Sequence, residues 1–290
     1  MKKSTLLHLR VPFSFYLMPV FFFAVSVNPD FQFWKSLVAF LSLHLFLYPA
    51  SNGYNSYYDK DEGSIGGLEN PPPVDKELLW ASLLFDLFAL VLGGFLGWEF
   101  VLALFVYGLV SKAYSHPAIR LKKMPYLGWL TVGVFQGFFT FLLVYQGIHS
   151  VGLSELQAPK VLIPAILSSA MLLGSYPMTQ IYQHEEDGKR GDETISRKLG
   201  INGTFIFTII CFSISTAGFV WYYFNYFSLN HAIGFVVFLT PVLIFFMTWF
   251  WGVLQNTRSA DFKSTMRLNQ VSAICLNAFY VGVWVWGVFG

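Results

Sequence analysis

Apolar residues in this chain fall into nine long runs, at about 11–27, 34–50, 78–97, 99–115, 127–147, 159–181, 203–225, 231–254 and 268–289. Runs of about 17–25 apolar residues are what a helix needs to cross the hydrocarbon of a bilayer. In lipid, backbone N–H and C=O groups find partners only within their own segment, so each run is predicted to be a helix. Lys35, Glu99 and Lys160 sit at run ends, where their heads reach water, and no charge is expected deep inside a span. Polar residues collect in three connections, 51–77, 112–126 and 182–202, rich in Gly, Pro and charge. The pattern predicts an all-α, polytopic protein with nine transmembrane helices, organised as a single membrane domain over 1–290.

Composition agrees with this picture. Hydrophobic residues make up 55% of the chain and charged residues 12%, about half the share of a soluble domain. The net charge of +2 and the lack of a dense basic stretch argue against a nucleic-acid partner. Cys211 and Cys275 lie in apolar runs and read as small core residues. The six histidines are scattered without ligand spacing, which speaks against zinc. Met1-Lys2-Lys3-Ser4 is basic and precedes an apolar run, but no small-residue cleavage pattern follows, so this run reads as a retained first helix.

Charge also orients the chain. Of the 18 Lys and Arg, all but Lys35 and Lys160 fall on one side of a nine-span arrangement. Positive loops stay cytoplasmic, so the N-terminus is expected inside and the C-terminal Gly290 outside, in a multi-pass protein of the cell (inner) membrane. The long polar loops then share the cytoplasmic face, where function is expected.

Two of these loops carry acids in register. If the second helix continues past residue 50, then Asn52, Asn55, Asp59 and Glu62 recur at helical spacing and form one polar stripe. Thr179, Gln183 and Asp187 repeat the theme, with Glu185, Glu186 and Asp192 nearby and Gly191 and Thr194 completing a turn. Either stripe alone is compatible with a solvated helix end. Together, on one face of the membrane, they suit Mg²⁺, which takes carboxylate and amide oxygens alongside phosphate oxygens and water. Between them in sequence lies Tyr114-Ser115-His116-Pro117-Ala118-Ile119-Arg120-Leu121-Lys122-Lys123-Met124-Pro125. This segment reads as a membrane anchor or as a diphosphate clamp built on Arg120 and Lys122.

At these residues the chain resembles the UbiA superfamily of intramembrane prenyltransferases. Arg10-Val11-Pro12-Phe13 is similar to the family's Arg-Pro opening. Asn55-x-x-x-Asp59 resembles the first half of its Asn-x-x-x-Asp-x-x-x-Asp motif, and Asp187-x-x-x-Gly191-x-x-Thr194 with Arg197-Lys198-Leu199-Gly200 the end of its second motif. The segment from Tyr114 to Lys123 is similar to that of homogentisate prenyltransferases and chlorophyll synthases. Two positions depart from the pattern: Gly63 and Gln183 stand where the family has aspartates. Asp61 or Glu62 is expected to replace the first, and helical spacing favours Glu62. Gln183 is expected to face Asp59 across the cavity and to coordinate through its carbonyl oxygen.

The resemblance implies nine helices around a central cavity, left open by small residues such as Gly93, Gly94, Gly133 and Gly137. It implies transfer of an isoprenyl group from a prenyl diphosphate to an acceptor, expected to be aromatic, in quinone or related lipid synthesis. The implied metal set is Asn55, Asp59, Asp61, Glu62, Gln183 and Asp187, with Mg²⁺ as cofactor. Asp59, Asp187 and Tyr114 are the implied catalytic residues. Arg10, Asn52, Arg120, Lys122, Lys123, Lys189, Arg197 and Lys198 are the implied diphosphate ligands. A terpene cyclase of the same fold is the alternative enzyme. A lipid-binding or transport protein is the alternative from another class, although a transporter should carry polar breaks at the midplane.

Overall fold

The computed structural model describes residues 1–28, 30 and 32–289, with Phe289 described by its backbone alone. The expectation that Gly290 is extracytoplasmic lies outside the described residues. Every predicted run is helical, and among the described residues β pairing is confined to one isolated bridge between Ile65 and Leu68. Among the described residues eight helices are long and apolar enough to cross a membrane: Lys3–Ser26, Phe33–Asp59, Glu77–Leu96, Pro125–His149, Pro159–Arg190, Ile195–Tyr226, Leu229–Gln255 and Phe262–Val288. The fourth predicted run is the 18-residue helix Trp98–Ser115. At 1.5 Å per residue it is roughly 27 Å long, but Glu99 in its first turn and Lys112 in its last make it more polar than the eight. These helices are called spans 1 to 9 in chain order.

One charge does lie deep within a span, contrary to the sequence expectation. Asp86, midway along span 3, forms an ion pair with Lys112 of span 4, and both side chains are mostly buried. A lone carboxylate in hydrocarbon is costly, and an ammonium from the neighbouring helix offsets that cost. Lys112 also lies 5.4 Å from the ring centroid of Tyr54. It is therefore a packing element between spans 2, 3 and 4 rather than a free loop cation.

The spans close into a ring. Phe23 of span 1 stacks on Tyr280 of span 9, with centroids 4.6 Å apart, and Phe219, Tyr222 and Tyr223 of span 7 bury themselves beside it. Large aromatic surfaces held this way supply much of the packing where lipid removes the hydrophobic drive between helices. Outward-facing Trp80, Phe95, Trp221, Trp251 and Trp286 cover the lipid-exposed rim.

The glycines of span 5 play a part other than the one expected. Val134–Phe139 is a π-helical segment. Ser169 of span 6 fits beside it, donating to Gly133 O at 2.8 Å and accepting from the Phe138 N–H at 2.8 Å. A Cβ on Gly137 would lie 2.5 Å from the Ser169 Cα. Gly137 thus brings span 5 onto the backbone of span 6, and Gly133 makes room for the Leu173 side chain, instead of holding a cavity open, the usual use of small residues between membrane helices. Gly93 similarly seats Leu104 and Phe100 of span 4.

Candidate active site

Three non-glycine residues at the polar face adopt left-handed backbone angles: Arg10 (φ 48°), Lys60 (φ 50°) and Arg120 (φ 49°). Each such residue costs about 1–2 kcal/mol, which surrounding contacts must offset. Each also stops or redirects a helix beside the same cavity. Arg10 repays its turn with two hydrogen bonds, from Nη1 to Gly66 O at 3.0 Å and from Nη2 to Asn52 O at 3.1 Å. It fastens the start of span 1 to the first polar loop.

The turn at Lys60 ends span 2 at Asp59. Asn52, Asn55 and Asp59 therefore share the helical stripe and line the cavity, but Glu62 does not. Glu62 lies beyond the helix with its side chain exposed, and its N–H donates to Glu186 Oε1 at 3.0 Å. Asp61 lines the cavity in its place and pairs with Arg190. The helical spacing that favours Glu62 fails because the helix stops three residues too early.

Span 6 forms the opposite wall. Pro177 removes a backbone donor at its polar-face end, where the helix tightens into 3₁₀ geometry over Tyr176–Gln183 before a short α-helical stretch, His184–Arg190. Tyr176, Gln180, Gln183 and Asp187 line the cavity. Gln183 Nε2 donates to Ser64 O at 3.2 Å, which ties the two polar loops together. Asp187 accepts from Thr194 Oγ1 at 3.4 Å, and among the described residues it has no cationic partner within salt-bridge distance.

The third wall is the turn after span 4. Arg120 grips Asp192 with both arms of its guanidinium and lies 3.5 Å from Asp59 Oδ1. Lys122 Nζ lies 2.5 Å from Asp59 Oδ2 and 4.0 Å from Asp192 Oδ2. Both carboxylate side chains are only 2% exposed. Burial works against the charge of Asp192, yet its hydrogen bonds from Arg120, with Lys122 close by, hold its carboxyl below the usual range. The bonds to Asp192 likewise push the Arg120 guanidinium up.

The remaining sequence candidates divide. Tyr114 lines the cavity, and its hydroxyl is hydrogen-bonded to that of Tyr176. Asn55 Nδ2 donates to Ser115 Oγ at 2.8 Å. Lys123 is exposed, Lys189 is exposed and paired with Glu185, and Lys198 lies over the ring of Tyr126. Arg197 donates to the backbone carbonyl of Asp192, and Thr194 caps its helix by accepting from the Arg197 N–H. None of Arg120, Lys123, Lys189, Arg197 or Lys198 lines the cavity, although Arg120 pairs with two acids that do.

Sequence reasoning passed over Arg190, Tyr176 and Gln180. Arg190 follows Glu186 by four residues and bonds it at 2.7 Å, a spacing that could have flagged it. Tyr176 and Gln180, also four apart, are joined by a 3.1 Å hydrogen bond. Below the charged rim the cavity, about 230 Å³ in volume, is walled by Tyr107, Val110, Val132 and Phe135.

Whether these residues suit Mg²⁺ can be judged from the donors. Asp59, Asp61, Asp187, Asn55 and Gln183 present hard oxygens around one cavity, the donor type a magnesium ion takes. Asp59 Oδ1 is buried without a hydrogen-bond partner, so the site holds an unspent acceptor. Among the described residues no three acidic, histidine or cysteine side chains already converge as a closed cage.

Solved structures share this architecture. A digeranylgeranylglyceryl phosphate synthase is 20% identical, with a TM-score of 0.62 and 98% of each chain covered. A UbiA homologue from Archaeoglobus fulgidus bound to GPP and Mg²⁺ is 16% identical, with a TM-score of 0.67, covering 98% of this chain and 100% of its own. The apo UbiA homologue from Aeropyrum pernix K1 is 15% identical, with a TM-score of 0.70, covering 94% of this chain and 98% of its own. No curated protein sequence matches the chain. The UbiA prenyltransferase family profile matches residues 16–271. With that match running from span 1 into span 9, the chain belongs to the UbiA prenyltransferase family.

Proposed function

We propose that this protein is a Mg²⁺-dependent prenyltransferase that moves an isoprenyl group from a prenyl diphosphate to a lipophilic, aromatic acceptor within the membrane. The observation that carries the reading is one cavity with a carboxylate and amide rim, a cationic wall and an aromatic floor. Similarity of the Tyr114–Lys123 segment to the homogentisate prenyltransferase and chlorophyll synthase branch supports an aromatic acceptor.

Asp59, Asp61, Asp187, Asn55 and Gln183 would hold the magnesium, which supplies positive charge to the departing diphosphate. Arg10, Lys122 and Asn52 line the cavity and would bind the same oxygens, while Arg120 holds Asp192. As the C1–O bond breaks, its electron pair leaves with the diphosphate. The faces of Tyr107, Tyr114, Phe135 and Tyr176 suit the allylic cation that remains, by cation–π attraction. The acceptor ring forms the new C–C bond with that carbon and then loses a ring proton. Deep placement below the charged rim keeps water from intercepting the cation.

The polar face carries the loops in which Lys and Arg gather, so the reading places this site on the cytoplasmic side. The test is product analysis with purified protein, Mg²⁺ and a panel of prenyl diphosphates, with and without aromatic acids. Prenylated acceptor is expected. A cyclised product formed without acceptor would replace transfer by cyclisation, and no consumption of any prenyl diphosphate would end the reading.

A further inference from the structure

We propose that Lys122 is a tethered counter-ion, which occupies the carboxylate cluster between turnovers and yields it to the divalent cation when a diphosphate binds. The inference rests on the prenyltransferase reading above and adds a device that couples metal binding to substrate binding.

The starting observation is where the ammonium sits. Lys122 Nζ is 2.5 Å from Asp59 and 4.0 Å from Asp192, and its side chain is only 13% exposed. It lines the same cavity as Asp61 and Asp187. Asp192 already has a bidentate partner in Arg120, and Asp61 has Arg190. Asp59 also lies 3.5 Å from Arg120, whose fork is committed to Asp192, so Lys122 is the mobile cation on Asp59, the acid on the first wall. Lys122 reaches it from the turn after span 4, a different wall of the cavity. A point charge on a flexible four-carbon stem can swing between anions, whereas a guanidinium fork is committed by geometry.

Two consequences follow from charge alone. Mg²⁺ arriving without diphosphate must push an ammonium off Asp59 and leave it facing a dication in a poorly screened cavity, which opposes binding. Mg²⁺ arriving with diphosphate gives that ammonium new anionic oxygens, so each ligand favours the other. Such coupling is reciprocal by linkage. The metal would then accumulate in the site only with substrate, and the carboxylates would remain compensated in its absence.

The test uses full-length protein in detergent, with MgCl₂ alone and MgCl₂ plus inorganic pyrophosphate as probes. Binding is read by calorimetry and by the thermal unfolding midpoint. In wild type, pyrophosphate should tighten Mg²⁺ binding by about tenfold, within the usual range of coupling between sites. In Lys122→Met, Mg²⁺ alone should bind about tenfold more tightly than in wild type, and pyrophosphate should add little. Equal affinity for Mg²⁺ alone in the two proteins overturns the proposal, while the prenyltransferase reading survives if pyrophosphate with Mg²⁺ still stabilises wild type. Absence of any response to Mg²⁺ with pyrophosphate in wild type sinks both. Should Lys122→Met not fold, acetylation of the Lys122 amine in wild type, followed by peptide mass spectrometry, decides the matter. Reactivity should rise on adding Mg²⁺ alone and fall again with pyrophosphate; unchanged reactivity under all conditions rejects the idea.

Discussion

Arg120 holds Asp192 through two parallel hydrogen bonds, Nε to Oδ1 at 3.0 Å and Nη2 to Oδ2 at 2.8 Å, and so joins the turn after span 4 to the turn after span 6. A fork-to-carboxylate pair of this kind fixes orientation as well as distance. It positions the backbone that carries Lys122 next to Asp59.

The pair makes stability depend on pH in a defined sense. Because the folded Asp192 carboxyl titrates below its ordinary value, its contribution is fully present above the unfolded value of about 3.9 and is lost as pH falls through the folded one. Asp192→Asn should lower the stability at pH 7 by about 3 kcal/mol, and the unfolding midpoint with it, if the stranded Arg120 stays buried. The difference from wild type should shrink below about pH 4. Melting curves between pH 3 and 7 in detergent check this; a constant gap across the range would show that the Asp192 charge contributes nothing.

Among the acids, Asp59→Ala and Asp187→Ala should each abolish turnover while the protein remains folded. Asp61→Ala should follow them, with at least about a hundredfold loss if its oxygen stabilises charge in the transition state. Glu62→Ala should stay within a few-fold of wild type, since only its backbone N–H makes a contact across the loops. Steady-state rates of the four variants are the measurement. The reverse order for Asp61 and Glu62 would mean that the first loop rearranges when substrate binds.

Gln183→Asp should lower the Mg²⁺ concentration needed for half-maximal activity, because a carboxylate attracts a dication more strongly than an amide does. It should also destabilise the metal-free protein. The substitution removes the donor to Ser64 O, sets an anion against that carbonyl and adds a charge to the cavity wall that holds Asp187. Mg²⁺ titrations of turnover and of the melting midpoint test both effects. If neither curve moves, the Gln183 side chain plays no part toward the metal.

Asp86 and Lys112 offer a test remote from the cavity. Removing one partner leaves a buried charge, so Asp86→Leu and Lys112→Met should each cost about 3–5 kcal/mol. The double variant Asp86→Leu with Lys112→Met should recover most of that loss. A double-mutant cycle on unfolding midpoints reads the coupling, and additive effects would mean that the two groups do not interact.

The amino-acid sequence by itself determined the run of helices and the residues that carry charge at their ends. Lipid makes that reading simple, since an apolar run of sufficient length has no alternative to a helix there. Local spacing also placed Asn52, Asn55 and Asp59 on one stripe. It could not foresee that Lys60 adopts a left-handed turn and closes the helix with its N–H on Ser56 O, because helical periodicity does not mark where a helix ends. Asp61 and Glu62 exchange places for this reason alone. Nor could spacing pair Asp192 with Arg120, Asp59 with Lys122 or Asp86 with Lys112, which lie 72, 63 and 26 positions apart. Partners that distant meet only when the helices pack, as when Gly137 lets span 5 touch the backbone of span 6. The tertiary structure therefore decided which acids share a cation and which, like Asp187, face the cavity without one, because Coulomb energy depends on separations in space that sequence order does not contain.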